Sequence, residues 1–202
     1  MELTFPNDPW FAEQTARHGG IFDRPSYEAA LSYVTDWRRA VDGGAHVGTW
    51  TVALSEKFDT VHAFEPDPDN YKCLEANTKH LRKIVRHDVA LGAGWGAAAM
   101  VKGSENSGQA HLGTEGPAVK IAPLDDYGFT SLGFLKLDVE GYELHAILGA
   151  RDTIMRCKPI ILIEENGLCE RYGTRDGDAP DLLKTMGMVK LAQVNKDHIF
   201  GW

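Results

Sequence analysis

The sequence predicts an α/β domain with a mostly parallel, doubly wound sheet that ends in an antiparallel hairpin. Strand-like aliphatic runs alternate with segments of helical periodicity from residue 39 onward, a pattern typical of a sheet with helices on both faces. The last two strand-like runs are separated only by residues 195–197, whereas a parallel crossover needs a dozen residues or more. A length of 202 residues suits one such domain.

Residues 1–38 are predicted to form an N-terminal helical extension, with a helix over 26–37, and residues 39–202 a single domain. Asp67 is the predicted N-cap of a helix, because Pro68 follows at the first helical position. The predicted elements of the first half of the domain are, in chain order, a strand over 39–42, a helix that buries Val47, Trp50, Leu54 and Phe58, a strand over 60–64, and a helix with Tyr71, Leu74, Thr78 and Leu81 on one face.

The second half of the domain begins with a predicted third strand over 84–90. Seven glycines in residues 91–123 interrupt the alternation and predict an irregular crossover with short strands over 97–102 and 118–123. The remaining predicted elements are a strand over 134–138, a helix with Leu144, Ile147, Leu148 and Ile154 facing inward, a strand over 159–164, a helix near 179–186, and hairpin strands over 188–194 and 198–202.

Charge and composition exclude several classes of protein. The chain carries 29 acidic and 21 basic residues, a net charge of −8, without a block of lysine and arginine. Binding to nucleic acids and to anionic membranes is largely electrostatic, so neither partner is expected. No apolar stretch approaches the roughly 18 residues of a spanning helix, and no signal peptide pattern begins the chain. Three cysteines without a Cys-x-x-Cys pair indicate a reducing, cytoplasmic location.

A glycine-containing turn after the first predicted strand is the first candidate site. It lies at the sheet edge where parallel α/β folds bind ligands. Its spacing fits acid-x-Gly-x-x-x-Gly, but alanine replaces the middle glycine of the dinucleotide fingerprint. A carboxylate beside such a turn would repel a pyrophosphate but suits a ligand with a positively charged amine. The candidate cofactor-binding residues of the turn are Asp42, Gly43, Gly44, Ala45, His46, Val47, Gly48 and Thr49.

Further candidate cofactor contacts end the second and third predicted strands. Glu65, followed by Pro66, lies 23 residues after Asp42, near the spacing of about 20 at which an acid binds the hydroxyls of a ribose. Asp88 and Val89 lie on the same sheet edge, where a short acid and a backbone amide can recognise an adenine ring. A simple cap at the strand end is the alternative interpretation of Asp88.

An unusual charged stretch ends the strand predicted over 134–138. Lys136 and Asp138 are two residues apart and therefore point to one face of the strand. Glu140 follows the strand end, and Glu164 ends the next strand. If these strands are adjacent to the first, the four side chains meet at one edge, where crowded carboxylates favour a general base near neutral pH. A structural ion-pair network is the alternative. No metal-ligand spacing is present, although these carboxylates could hold Mg²⁺.

These stretches resemble the FkbM-type methyltransferases, which use S-adenosylmethionine and have the class I methyltransferase Rossmann-like fold. The matching stretches are Val-Asp-Gly-Gly-Ala-His-Val-Gly from residue 41, Ala-Phe-Glu-Pro-Asp from residue 63, Asp-Val-Ala-Leu from residue 88, Phe-Leu-Lys-Leu-Asp-Val-Glu-Gly-Tyr-Glu-Leu from residue 134, Leu-Gly-Ala from residue 148 and Ile-Glu from residue 163. The Lys-x-Asp-x-Glu-Gly-x-Glu part is the most specific. His46 departs from the asparagine usual in this family, but histidine tolerates positive φ well enough to preserve the turn.

The resemblance implies methyl transfer to an oxygen, such as a hydroxyl of a sugar or of a small natural product. It implies that residues 42–49 and Glu65 hold the cofactor, with Asp42 on the methionine amine either directly or indirectly. We expect Asp138, Glu140, Glu164 and Lys136 to form the catalytic, acceptor-facing side, with Asp138 also touching the cofactor. No metal is assigned, and the oligomeric state stays open.

Two rival functions remain at this point. A nicotinamide-dependent oxidoreductase would use the same acid at the end of the second strand, and a non-catalytic module would bind the cofactor or a sugar without turnover. The long glycine-bearing segment is a further candidate for function, since such connections are often lids. Residues 104–113, with His111, and part of residues 1–38 are predicted to cover the acceptor site.

Overall fold

A computed structural model describes residues 3–6, 8–103 and 107–202, whose strands fall into two sheets. The helices are α1 (Pro9–Arg17), α2 (Arg24–Leu31), α3 (Thr49–Ser55), α4 (Pro68–Thr78), α5 (Glu143–Leu148), α6 (Arg151–Cys157) and α7 (Asp178–Thr185). The strands are β1 (Arg39–Gly43), β2 (Thr60–Phe64), β3 (Ile84–His87), β4 (Val89–Leu91), β5 (Gly96–Val101), β6 (His111–Gly113), β7 (Ala118–Ala122), β8 (Phe134–Leu137), β9 (Ile160–Glu164), β10 (Val189–Val194) and β11 (Asp197–Gly201).

The main sheet has seven strands in the order β10-β11-β9-β8-β1-β2-β3. Strands β9, β8, β1, β2 and β3 are parallel, and β11 pairs antiparallel with both β9 and β10. The predicted α/β fold with a terminal antiparallel hairpin is therefore confirmed. Because β8 lies beside β1, with Asp42 opposite Lys136, the charged stretch and the glycine turn reach the same edge.

Both faces of the main sheet are buried, as a doubly wound sheet requires. Alternate residues along one strand enter different clusters: Val41 and Leu135 belong to one core, Ala40 and Phe134 to the other. All four side chains are fully buried. Helix α2 contributes to the second core, which attaches the N-terminal region to the sheet.

The strand predicted over 84–90 is divided between the two sheets, so that prediction is wrong. Pairing of β3 with β2 stops at His87, because β2 itself ends opposite it. The chain turns at the exposed Asp88, and the next three residues pair with β7 in a four-stranded sheet of order β4-β7-β5-β6. This second sheet is formed within the glycine-rich segment, where the two predicted strands are confirmed to within two residues.

Two helix predictions also need correction. The helix predicted over 26–37 ends at Leu31, and the extension contains the additional helix α1, whose N-cap Asp8 precedes Pro9. The single helix predicted after β8 is broken at Gly149 into α5 and α6, and Leu148 faces outward with 38% of its surface exposed. A Cβ at Gly149 would lie 2.0 Å from the carbonyl oxygen of Gly92, so the break accommodates a close backbone approach.

None of the helices in the described part of the chain is both long and apolar enough to cross a lipid bilayer.

Candidate functional site

A cavity of about 720 Å³ lies at the carboxyl-terminal edge of the main sheet. The turn after β1 and the ends of β2, β8 and β9 contribute to its lining, and residues of the second sheet and of the N-terminal segment form other parts of its wall. Its size falls within the range of small-molecule sites, about 300–1,000 Å³. The cavity is therefore where the residues predicted to bind a cofactor and those predicted for catalysis can meet.

The turn after β1 exposes backbone to the cavity, and three of its residues, Gly44, His46 and Gly48, have positive φ. Gly44 has φ +73°, and a Cβ there would lie 1.8 Å from the carbonyl oxygen of Asp138. His46 has φ +51°, which agrees with the conformation expected for it. Five predicted residues of this turn line the cavity, namely Asp42, Gly44, Ala45, His46 and Thr49. The remaining predicted residues of the turn do not line the cavity, namely Gly43, Val47 and Gly48.

Glu65 ends β2 beside this turn and is held by backbone amides. One carboxylate oxygen accepts a hydrogen bond from the His46 amide and the other from the Asp67 amide, both at 2.8 Å. Only 5% of the residue is exposed, and burial raises the pKa of Glu65 to about 7. Both Glu65 and Pro66 line the cavity, and the ribose contact stays a prediction.

Asp88 and Val89 do not reach the cavity lining. The chain leaves the main sheet at Asp88, whose carboxylate faces solvent 3.7 Å from Lys120. The next two residues, Ala90 and Leu91, line the cavity instead. The sheet edge near the expected adenine position is therefore apolar, and the predicted contacts of Asp88 and Val89 require correction.

Lys136 joins two carboxylates beneath the cavity. Its ammonium lies 3.4 Å from Asp42 Oδ1 and 3.3 Å from Asp138 Oδ2, and it donates to the carbonyl of Gly44 at 3.1 Å. Burial alone lowers the pKa of Lys136, but Asp138 and Asp42 outweigh that effect and raise it. Lys136 is therefore charged, and it fixes the position of Asp138.

The side chain of Asp42 is buried beneath the cavity. Its side chain is 0% exposed and accepts a hydrogen bond from the Thr51 hydroxyl at 2.6 Å, whereas the Asp138 side chain is 37% exposed. Asp42 thus orients Lys136, and its buried side chain suits the indirect contact with a ligand. Asp138 is the carboxylate of this pair that faces the cavity.

Three carboxylates converge at the ends of β8 and β9. Asp138, Glu140 and Glu164 each offer an oxygen within 4.8 Å of the others, a spacing that could also hold a metal ion. Burial, and then the charge of Asp138, raise the pKa of Glu140 to about 8 and that of Glu164 to about 10. The cluster predicted from sequence is assembled, and its members differ in acidity.

Glu143 positions the loop that carries Glu140. It is 4% exposed, and its Oε1 accepts hydrogen bonds from the amides of Val139 at 2.9 Å and Gly141 at 3.2 Å. These bonds stabilise the left-handed conformation of Glu140, which has φ +57°. Sequence reasoning gave Glu143 no role, although the second glutamate of the Lys-x-Asp-x-Glu-Gly-x-Glu motif was a visible signal.

The N-terminal segment is linked to the turn through hydrogen bonds. Asp8 accepts from the Ser107 amide at 2.7 Å and from its hydroxyl at 2.8 Å, and that hydroxyl lies 2.7 Å from His46 Nε2. Burial lowers the pKa of His46 to about 4, so the ring is neutral and donates from Nε2. The ring of Phe11 packs against His46 with centroids 4.3 Å apart. We name this group, Asp8, Phe11, His46 and Ser107, the cap contact.

The predicted covering segments both contribute to the cavity. Residues 104–106 lie outside the described part of the chain, but residues 108–112, including His111, line the cavity. Trp10, Phe11 and Phe22 do so from the N-terminal region. Asp8 followed by Pro9 is a helix-start signal that sequence reasoning missed.

The acceptor-facing wall also contains residues that sequence reasoning did not identify. Tyr142, Asn166, Arg171 and Lys196 line the cavity beside the carboxylates. His145 stacks on the ring of Tyr142 with centroids 4.3 Å apart and is absent from the cavity lining.

The doubly wound sheet with its antiparallel hairpin, the glycine turn after β1 and the acid that ends β2 define a class I methyltransferase fold. The chain belongs to the methyltransferase FkbM family, since the family model of the methyltransferase FkbM domain matches residues 42–188. This match confirms the resemblance found in the sequence and supports S-adenosylmethionine as the expected methyl donor.

Solved structures share this fold at low sequence identity. The methyltransferase FkbM from Methylobacillus flagellatus KT is 20% identical with a TM-score of 0.56, over 92% of this chain and 48% of that chain. The precorrin-6y C5,15-methyltransferase from Geobacter metallireducens GS-15 is 15% identical with a TM-score of 0.53, over 91% and 90%. The Streptococcus mutans protein SMU.1697c, solved in complex with SAH, is 13% identical with a TM-score of 0.52, over 88% and 94%.

The present chain thus spans about half the length of the Methylobacillus FkbM structure. No protein of curated function matches the sequence.

Proposed function

We propose that this protein transfers a methyl group from S-adenosylmethionine to a hydroxyl oxygen of a sugar or of another small natural product. The observation that carries the proposal is the convergence of Asp138, Glu140 and Glu164 at the cavity edge where β8 and β9 end. Methylation of a hydroxyl releases a proton, and carboxylates with raised pKa values are suitable proton acceptors near neutral pH.

The remainder of the cavity has the features needed to hold the cofactor. Glu65 keeps lone pairs free for two ribose hydroxyls, because each of its oxygens accepts only one backbone hydrogen bond. Gly44 presents backbone without a side chain. Asp138 would face the methionine amine, and the apolar Ala90 and Leu91 would face the adenine.

The reaction requires positioning and one proton transfer. When bound, S-adenosylmethionine supplies an electrophilic methyl group on a sulfonium. The chain must hold the acceptor oxygen about 3 Å from the methyl carbon, in line with the carbon–sulfur bond that breaks as the carbon–oxygen bond forms. The hydroxyl proton then passes to Glu140 or Glu164. Lys136 keeps Asp138 in place, and Glu143 does the same for Glu140.

A hydroxyl-rich acceptor agrees with several side chains that line the cavity. Trp10 lines the cavity and exposes 48% of its surface, and Asn166 lies near the carboxylates. Aromatic rings that pack against apolar faces, together with a few convergent polar groups, are typical of small-molecule recognition. The same combination can bind a sugar ring through its faces and its hydroxyls.

The two rival functions make different predictions. Family membership argues against the nicotinamide-dependent oxidoreductase. A non-catalytic module would bind S-adenosylhomocysteine but form no methylated product. We also predict, from composition and charge, that the protein binds neither nucleic acid nor membranes and that it is cytoplasmic.

The test is a mass-shift screen of hydroxylated acceptors with the purified protein and S-adenosylmethionine. We expect products 14 mass units heavier, the mass of one CH₂, and losses of about 10²–10⁴-fold in kcat when the base is replaced by its amide, in Glu140→Gln or Glu164→Gln. Glu75→Gln, an exposed acid on α4, is the matched control. Near-normal turnover in both site variants would show that the cluster is structural. Binding without any product would favour the non-catalytic module.

A further inference from the structure

Two exposed cations lie on the acceptor-facing wall, and among the described residues neither has an ion-pair partner. Lys196 lies in the turn between β10 and β11, where its carbonyl accepts a hydrogen bond from the Glu165 amide at 2.9 Å. Arg171 lies in the short helix Leu168–Tyr172, which is anchored by the Tyr172 hydroxyl on the carbonyl of Leu112 at 3.0 Å. Both side chains line the cavity, and neither forms an ion pair with any residue in the described ranges.

The other cations of the cavity are already engaged. Lys136 lies between Asp42 and Asp138, and Lys102 forms an ion pair with Asp69 outside the cavity lining. Positive charge available to a ligand is therefore concentrated on one wall, formed by Arg171 and Lys196.

Among the described residues, the neighbouring acids form no ion pair with this wall. Glu140 and Glu164 line the same end of the cavity, and neither lies within 4 Å of either cation. Without a ligand, this end of the cavity therefore has two cations that lack an ion-pair partner among the described residues, with the carboxylate cluster beside them.

We propose that the acceptor carries an anionic group, a carboxylate or a phosphate, which Arg171 and Lys196 bind while the hydroxyl to be methylated lies at the carboxyl cluster. This inference rests on the proposed methyl transfer to oxygen and narrows its substrate class to acidic hydroxylated molecules. Arginine and lysine together match such an anion well, since guanidinium provides paired donors and ammonium a compact charge.

The test compares matched neutral and anionic probes: glucose, glucuronate and glucose 6-phosphate. Calorimetric titration of the S-adenosylhomocysteine complex measures binding separately from turnover, and the mass-shift assay is run on the same probes. The variant Arg171→Gln/Lys196→Gln removes both cations. The control Lys57→Gln/Arg82→Gln removes two exposed cations outside the cavity lining, so the net charge changes equally. Thermal melting checks that both variants are folded.

We expect at least one anionic probe to bind about tenfold or more tightly than glucose, because charge-assisted hydrogen bonds are among the stronger polar contacts. That preference should disappear in the cavity variant and persist in the control. The two anionic probes distinguish a carboxylate from a phosphate. Equal binding of neutral and anionic probes, no binding of either anion, or a preference that survives loss of both cations would overturn the inference. Anion binding without a methylated product would contradict the proposed function instead.

Discussion

Glu65→Gln tests the cofactor end of the cavity most directly. The carboxylate accepts one backbone amide on each oxygen, so the amide variant must turn an NH₂ group toward the amide of His46 or of Asp67. It also loses a charged acceptor for the ribose. Hydrogen bonds to a charged group contribute about 1.5–3 kcal/mol, so we expect S-adenosylhomocysteine affinity to fall about ten- to a hundredfold.

The pH dependence of binding provides a second measure of the same group. Without ligand, burial raises the pKa of Glu65 to about 7. Ribose hydroxyls donate to the ionised form, so binding lowers that pKa and releases a proton when it occurs below about pH 7. The affinity is therefore highest at pH values above the pKa of Glu65 in the ligand-free protein, and it decreases as the pH falls through that pKa. At pH 6 about one protein molecule in ten has ionised Glu65, which weakens binding about tenfold relative to pH 8.

Isothermal titration calorimetry with S-adenosylhomocysteine at pH 6, 7 and 8 gives both the affinity of each variant and its dependence on pH. Repeating the titration in two buffers of different ionisation enthalpy counts the protons released. Glu75→Gln, an exposed acid on α4, should bind like the parent at each pH. If the parent binds equally well at pH 6 and pH 8, or if Glu65→Gln binds like the parent, the assignment of Glu65 to the ribose is refuted.

Three further predictions follow from the buried ion pair, the cap contact and the carboxylate cluster. Lys136→Met leaves the buried carboxylate of Asp42 unpaired and should lower the free energy of unfolding by about 3–5 kcal/mol in urea titrations, with partial recovery in Lys136→Met/Asp42→Asn; a loss under about 1 kcal/mol would contradict the pairing. In the parent, S-adenosylhomocysteine should slow the amide hydrogen exchange of residues 8–22, and Ser107→Ala, which breaks the cap contact, should abolish this slowing. If the ligand does not slow exchange in the parent, residues 8–22 are an ordinary surface segment. Turnover should persist in EDTA, since no metal is assigned; its loss, with recovery in Mg²⁺, would identify the carboxylates as metal ligands.

Much of the site could be predicted because its signals are local. The turn after β1 and Glu65 are recognised from glycine spacing and from an acid at a strand end. Lys136 and Asp138 share a strand face by the two-residue period of a strand, and the structure places them 3.3 Å apart. Each of these inferences needs only a few consecutive residues, which is why sequence alone supplied them.

The features that were missed depend on contacts between distant parts of the chain. Residues 84–91 alternate as one strand would, and no local signal shows that the chain changes sheets at Asp88. Asp8 and Ser107 are 99 residues apart in sequence, so their hydrogen bond exists only after folding. The burial of Asp42 likewise follows from Lys136 on the neighbouring strand, and this pairing decides which carboxylate can face a ligand.

The carboxylate cluster contains unequal candidates for the general base. A base must be ionised before it accepts a proton, so the acid with the lower pKa is active over more of the neutral range. Burial and Asp138 raise the pKa of Glu140 to about 8, but Arg171 and Lys196 oppose that rise, and Glu164 reaches about 10. Glu140 also lies on the loop that Glu143 holds by two hydrogen bonds. We therefore expect kcat to rise with pH through about 8, and Glu140→Gln to remove this inflection while Glu164→Gln retains it. A profile of kcat from pH 6 to 10 decides whether Glu140 or Glu164 is the general base. If the inflection is lost only in Glu164→Gln, the base is Glu164 and not Glu140.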